Sequence, residues 1–356
     1  MVGGGPIGLA IAWRCAQRGL ATSLFDPAPR SGAFSVAPGM LAPVTEVHYG
    51  EEAILRLNMR SAEMYPVFVA ELEDATGLVC GYERHGTLFA ARDSDDLAVV
   101  DELFRFQTEL GLAVERLTGK ECRELEPGLS PRVRGGLFAA ADHRVDPVAL
   151  THALLVACER TGVKLIDERV TGIERGAIRT EASSHEADLV VLAAGARSSE
   201  IQLPGDLRVP VRPVKGQVVA LRGPLPPARA NVRGVDAYIV PRADGRVAVG
   251  ATMEERGFDD SVTAEAVLEL LRSAFELLPE IAEFRFDGPL VGFRPGTPDN
   301  AALIGPSSVE GLLIATGHFR NGVLQTPATA EAIVGFAAGA EPDGFEAFSP
   351  RRFEPS

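Results

Sequence analysis

The chain has 356 residues, 46% hydrophobic and 24% charged, enough to bury one large core or, as length favours, two smaller ones. A formal charge of −14 and dispersed arginines argue against nucleic acid, so an anionic ligand must be held by a few placed positive groups. The longest apolar stretches, 189–196 and 332–340, are shorter than the roughly 20 residues of a membrane span, and the first residues carry no signal-peptide pattern, so a cytoplasmic protein with no membrane partner is expected.

Gly3, Gly5 and Gly8 fit G-x-G-x-x-G, in which the first glycine makes a tight turn, the second admits a pyrophosphate and the third lets helix and strand pack closely. Leu9 to Arg18 reads as a helix rich in small residues, Gly19 as its stop, and 21–25 as a strand ending in Asp26. Such a βαβ start offers free N–H groups and a positive dipole end to a diphosphate, and Asp26 could accept hydrogen bonds from a ribose. The blander alternative is a glycine turn in another α/β protein, with Asp26 capping the strand. Only Met1 and Val2 precede the glycines, whereas a buried parallel strand usually runs about 5–6 residues, so a native start further upstream is expected.

Further along, 86–91 and 135–139 read as strands and 95–111 as a helix. A helix over 147–161 and strands at 163–166, 169–173 and 188–195 follow, the last apolar throughout, as in a strand buried on both faces. Strands at 216–221, 238–241, 246–250 and near 284–286, with an amphipathic helix over 264–278, predict an antiparallel sheet. The proline-rich 223–228 reads as a hairpin loop. Near the end, a strand at 311–316, a loop at 317–322 and a helix over 323–338 suggest a second anion-binding helix start. Cys15, Cys80, Cys122 and Cys158 are far apart and read as free core thiols, with neither disulfide nor metal expected.

Gly3-x-Gly5-x-x-Gly8, Pro38-Gly-Met-Leu-Ala-Pro43, Pro213-Val-Lys-Gly216, Tyr238-Ile-Val-Pro-Arg242, Gly250-Ala-Thr-Met253, Gly292-Phe-Arg-Pro-Gly-Thr-Pro-Asp299 and Thr316-Gly-His-Phe-Arg-Asn-Gly322 occur in that order. Together they resemble the glycine oxidases of thiamine biosynthesis, within the D-amino-acid oxidase and sarcosine oxidase family, over nearly the whole chain. The resemblance implies an α/β and α+β fold: a Rossmann-like FAD-binding domain of the glutathione-reductase type, and a second, antiparallel-sheet substrate domain. The expected division is 1–80, 138–212 and 292–356 for FAD, with 81–137 and 213–291 for substrate.

On matching positions, the resemblance places FAD contacts at Pro6, Ile7, Asp26, Pro27, Ala33, Phe34, Pro38, Gly39, Met40 and Val170, beside Gly3, Gly5 and Gly8. It adds His318, Phe319, Arg320, Asn321, Gly322, Val323 and Leu324, with the His318 ring read as structural. It implies that Arg294 grips a substrate carboxylate with its planar fork, that Tyr238 sets a hydroxyl over it, that Arg320 lies at the flavin edge, and that Met40 and Met253 line the cavity. Asp236 departs from the family pattern, and its role is open between attracting a substrate ammonium and ending a loop. With no cysteine after Cys158, FAD is expected to be non-covalent.

The implied activity is oxidative deamination of glycine, or another small amine-bearing acid, to the 2-oxo acid, ammonia and hydrogen peroxide, by a cytoplasmic protein for which the family suggests a homotetramer. Sarcosine or D-amino-acid oxidation, a dehydrogenase of the same superfamily, a non-catalytic flavin-binding subunit and an NAD(P) dehydrogenase remain the alternatives.

Overall fold

The computed structural model describes residues 1–29 and 31–353. In chain order, α1 (Pro6–Gln17), β1 (Ser23–Phe25) and β2 (Met40–Leu41) lead into a long helix, α2 (Glu52–Thr76). Next come β3 (Thr87–Ala91), α3 (Ser94–Glu109), β4 (Glu115–Thr118), α4 (Gly119–Leu125), β5 (Gly135–Ala139), β6 (His143–Arg144) and α5 (Pro147–Arg160). Five short strands follow: β7 (Lys164–Ile166), β8 (Val170–Glu174), β9 (Ala177–Thr180), β10 (Ser184–Glu186) and β11 (Val190–Leu192). The last third holds β12 (Arg212–Arg222), β13 (Asn231–Arg233), β14 (Tyr238–Pro241), β15 (Arg246–Gly250), α6 (Ala264–Leu277), β16 (Arg285–Gly296), β17 (Leu303–Pro306), β18 (Leu312–Thr316) and α7 (Thr326–Ala337).

Local signals account for many boundaries. Asp146 accepts from the N–H groups of Val148 and Ala149, and Pro147 supplies a preset φ at the first helical position, so α5 starts there. Thr118 and Glu121 form a reciprocal capping box at α4. Gly19, at φ +80, ends α1 as expected.

The first strand is reduced to Val2, which bridges β1 through Phe25 and β11 through Leu192, both in parallel. It joins β7-β1 and β11-β18-β17 into one sheet, parallel except for β17. Helices α1, α5 and α7 cover one face, where Trp13, Leu150, Leu154 and Ile333 are fully buried. The second layer is an eight-stranded sheet ordered β16-β12-β15-β14-β13-β3-β5-β4, packed by α6 through Leu270, Ala274 and Leu277.

Four expectations change. The large sheet is not wholly antiparallel, because β13 pairs in parallel with β3, joining two distant chain segments. Residues 223–228 do not close a hairpin: β12 pairs with β15 and β16, so this loop carries the chain past two strands to β13. The strand near 284–286 extends to Gly296. It tolerates Pro289 and Pro295 because β16 is an edge strand, where a missing N–H need not break a ladder. Finally, α7 begins at Thr326, and its first turn lies in the core with Ala328 N–H donating to Ser61, so 319–321 is a single 3-10 turn and not the start of α7.

A buried carboxylate organises the segment after β2. Asp142 is fully buried and accepts from Val44 N–H (3.0 Å), Thr45 N–H (3.1 Å) and the Thr45 hydroxyl. Burial lifts its pKa to about 6 against these bonds. Asp142→Ala would leave three buried donors unpaired, and since each orphan costs about 1–3 kcal/mol, a loss of about 3 kcal/mol or more is expected in urea unfolding. Wild-type stability in that variant would show that the segment is held by other contacts.

Candidate active site

At the glycine turn, a Cβ on Gly3 would lie 2.4 Å from the Ala193 carbonyl oxygen, and Gly3 has φ +106. A Cβ on Gly8 would lie 2.0 Å from the Gly3 carbonyl, so this glycine serves helix–strand packing. A Cβ on Gly5, in contrast, meets nothing within 4 Å. No side chain caps α1 and its first turn carries no acid, which leaves a positive helix end facing a large cavity. Asp26 also lines that cavity, accepting from Gly4 N–H (2.6 Å) and Ala28 N–H (2.7 Å).

The cavity has a volume of about 920 Å³, near the top of the roughly 300–1,000 Å³ range of ligand sites. Gly3, Gly5, Pro6, Ile7, Pro27 and Val170 line it beside Asp26. Ala33, Phe34, Pro38, Gly39 and Met40 form another part of the wall. Gly39 has φ +79 and a Cβ there would strike the Val145 carbonyl at 2.0 Å, while Arg242 donates to the Pro38 carbonyl and fixes this turn. His318, Phe319, Arg320, Gly322 and Val323 also line the cavity. Gly8, Asn321 and Leu324 are outside its lining: Asn321 is buried, and Leu324 packs into the helical core.

Tyr238, Arg294 and Met253 meet on the wall contributed by the large sheet. Arg294 Nη1 donates to the Thr252 carbonyl at 3.0 Å, which orients the fork. Gly216 leaves the space for it, since a Cβ there would come within 2.5 Å of the guanidinium. Gly250 does the same for Tyr238, whose hydroxyl would lie 2.7 Å from an added Cβ. Burial raises the Tyr238 pKa and the Arg294 charge opposes it, so the hydroxyl stays protonated and can donate. Met253 is 64% exposed and so sits at the rim.

Arg320 pairs with Glu51, and its Nε is a buried donor without a partner. Asp236 is exposed and bound to Arg92 at 2.8 Å, so it serves an ion-pair network at the edge. The His318 ring is buried against the Thr329 hydroxyl at 3.1 Å, and burial lowers its pKa to about 3, which keeps it neutral. Sequence reasoning missed Glu46, His48 and Arg233, which also line the cavity; Arg233 donates to the Thr45 carbonyl at 2.6 Å. No local motif marks them; the pairing of β13 with β14, which sets Arg233 opposite Tyr238, appears only in the folded structure.

A family model described as "DAO: FAD dependent oxidoreductase" matches residues 1–335. The chain belongs to the DAO family of FAD-dependent oxidoreductases. This decides the dinucleotide in favour of FAD over NAD(P). The bifunctional protein ThiO/ThiG of Trichormus variabilis is 35% identical over 94% of this chain and 52% of its own length, so the chain spans about half of that relative. The glycine oxidase of Pseudomonas aeruginosa is 32% identical over 96% of this chain and 95% of its own. The crystal structure of glycine oxidase from Geobacillus kaustophilus superposes with a TM-score of 0.92 at 30% identity, covering 99% of this chain and 98% of that one.

The residues present fit FAD: the space beside Gly5 that a Cβ would fill, the uncapped start of α1 and the Asp26 carboxylate suit a diphosphate and a ribose. The two glycines should therefore separate experimentally. Gly8→Ala is expected to lose about 1–3 kcal/mol of stability through backbone overlap, whereas Gly5→Ala should melt like the wild type and hold FAD more weakly, as read by flavin fluorescence on dilution. A Gly5→Ala protein that retains FAD normally would remove Gly5 from the cradle.

His318 gives a pH prediction. Its folded pKa, about 3, is below the ordinary 6.5, so the unfolded chain binds more protons between these values. Stability is complete above pH 6.5 and declines as pH falls, by about 1.4 kcal/mol per unit. His318→Gln should lose about 1.4 kcal/mol less than the wild type between pH 7.5 and 5.5 in urea titrations; equal losses would place the pH dependence elsewhere.

Proposed function

We propose that this protein oxidatively deaminates glycine, or a comparably small amine-bearing acid, to the 2-oxo acid, ammonia and hydrogen peroxide. The observation that carries the reading is the pairing of Arg294 and Tyr238 on one wall of the cavity, each with its space guaranteed by a glycine on a neighbouring strand. The Geobacillus and Pseudomonas glycine oxidases support the choice of substrate.

FAD held by the glycine turn, Asp26 and the 318–323 segment would supply a two-electron acceptor beside the substrate Cα, with oxygen as the terminal oxidant and hydrogen peroxide as its product. The protein's own part is binding and orientation. With Nη1 tied to Thr252, the Arg294 fork presents its remaining donors to a carboxylate, and the neutral Tyr238 hydroxyl adds another. Fixing the carboxylate fixes the direction of the Cα–H bonds, which is worth several kcal/mol of barrier without a side-chain base. Met40, Phe258 and Phe293 line the same space and limit both water and larger Cα substituents.

The reading includes an FAD-binding unit from 1–80, 138–212 and 292–356 and a substrate unit from 81–137 and 213–291. The parallel sheet draws on the first set and the large sheet mainly on the second, with β5 running across 138 to Ala139, β12 starting at Arg212, and β16 running across 292 as far as Gly296. A place in thiamine biosynthesis, a cytoplasmic location and a homotetramer complete it. No helix among the described residues is long and apolar enough to cross a membrane, which supports the location.

Arg294→Ala should weaken glycine recognition by about 2–5 kcal/mol while FAD content is retained. The check is anaerobic bleaching of the oxidised flavin against glycine concentration, followed by peroxide yield on admitting air. Wild-type glycine dependence in that variant would overturn the assignment.

A further inference from the structure

Arg294 and Tyr238 provide for the anionic end of an amino acid, but a zwitterion also carries an ammonium group. The carboxylates lining the cavity differ in this respect. Asp26 accepts two backbone N–H bonds, Glu200 pairs with Arg197, and Asp236 pairs with Arg92. Glu46 also lines the cavity, and among the described residues its side chain has neither an ion pair nor a hydrogen bond.

The backbone that presents Glu46 is unusually constrained. Asp142 holds Val44 and Thr45 from beneath, Gln107 donates to the Val44 carbonyl at 3.0 Å, and Arg233 donates to the Thr45 carbonyl. Arg233 also stands over the Phe89 ring, 5.3 Å from its centroid, and so acts as a brace on the backbone beside Glu46. Five hydrogen bonds from three side chains thus fix the two residues before one unpaired carboxylate. Preorganisation of this kind is what a recognition group requires.

We propose that Glu46 receives the ammonium group of the substrate while Arg294 and Tyr238 hold its carboxylate, making Glu46 the residue that selects amino acids over acids lacking the amine. The charge of Glu46 is felt at the Tyr238 hydroxyl, where it pushes the pKa up as Arg294 draws it down. The same negative charge disfavours a carboxylate with no ammonium to offset it. The inference rests on the amino-acid oxidase reading above.

The test uses the FAD-loaded protein and two ligands: glycine, followed by anaerobic flavin reduction, and acetate, which has a carboxylate and no amine, followed by perturbation of the flavin spectrum. Glu46→Gln should weaken the apparent affinity for glycine about ten- to a hundredfold, as for loss of a charged hydrogen bond, and leave acetate binding equal or tighter. Glu46→Asp, which keeps the charge on a shorter arm, should recover part of the glycine affinity. If glycine and acetate weaken together in Glu46→Gln, the residue only supports the cavity wall and the proposal fails. If the wild type is reduced by glycine and Glu46→Gln matches it, the proposal fails alone. A wild type that binds acetate but is reduced by no amine would overturn both this inference and the functional reading beneath it.

Discussion

The antiparallel ladder between β12 and β16 sets the position of the groups on which the site depends. It runs from Arg212 opposite Gly296 to Arg222 opposite Arg285, with one irregularity at Ala220/Leu221. This register puts Arg294 opposite Val214 and therefore diagonal to Gly216 on the same face. A slip of one residue would send the guanidinium to the other side of the sheet. The next strands extend the pattern: Val218 is opposite Gly250, Gly250 opposite Tyr238, and Tyr238 opposite Arg233. All four line the cavity, so one row across neighbouring strands builds this wall.

In and beside that row the glycines act as spaces. Gly216 and Gly250 sit where a methyl group would displace Arg294 and Tyr238, and Gly292 leaves room for the Val36 side chain, which would lie 2.1 Å from an added Cβ. These close approaches let the large sheet meet the segment between β1 and β2, on the opposite side of the cavity. Arg242 reinforces the meeting by holding the Pro38 carbonyl. The two layers therefore share one cavity because side chains from each are fitted to the backbone of the other.

Electrostatics divides the cavity. The uncapped start of α1 supplies positive potential near the glycine turn, and Arg294 supplies it near the sheet wall. Most other charges on the wall are spent on partners: Arg320 on Glu51, Arg197 on Glu200 and Asp236 on Arg92. A chain of net charge −14 can thus present positive potential to anionic ligand groups through a few local donors.

The sequence by itself determined whatever depends on neighbours along the chain. The glycines at 3, 5 and 8, the cap at Asp146 and the stop at Gly19 are local backbone chemistry, and their helices were legible to within three residues at each end. The ordered motifs likewise carried Arg294 and Tyr238. Tertiary contacts override local signals elsewhere: α2 runs through Pro66 over 25 residues because its apolar stripe, with Leu57, Tyr65, Phe68 and Leu72, is buried. Similarly, β16 passes through Gly-Phe-Arg-Pro-Gly because its edge position forgives prolines. Only the folded structure decided the parallel pairing of β3 with β13 and the brace of Asp142, Gln107 and Arg233 that points Glu46 at the cavity. Those partners are scores of residues apart, and hydrogen bonding between them depends on how the sheets pack, which no periodicity within either segment can encode.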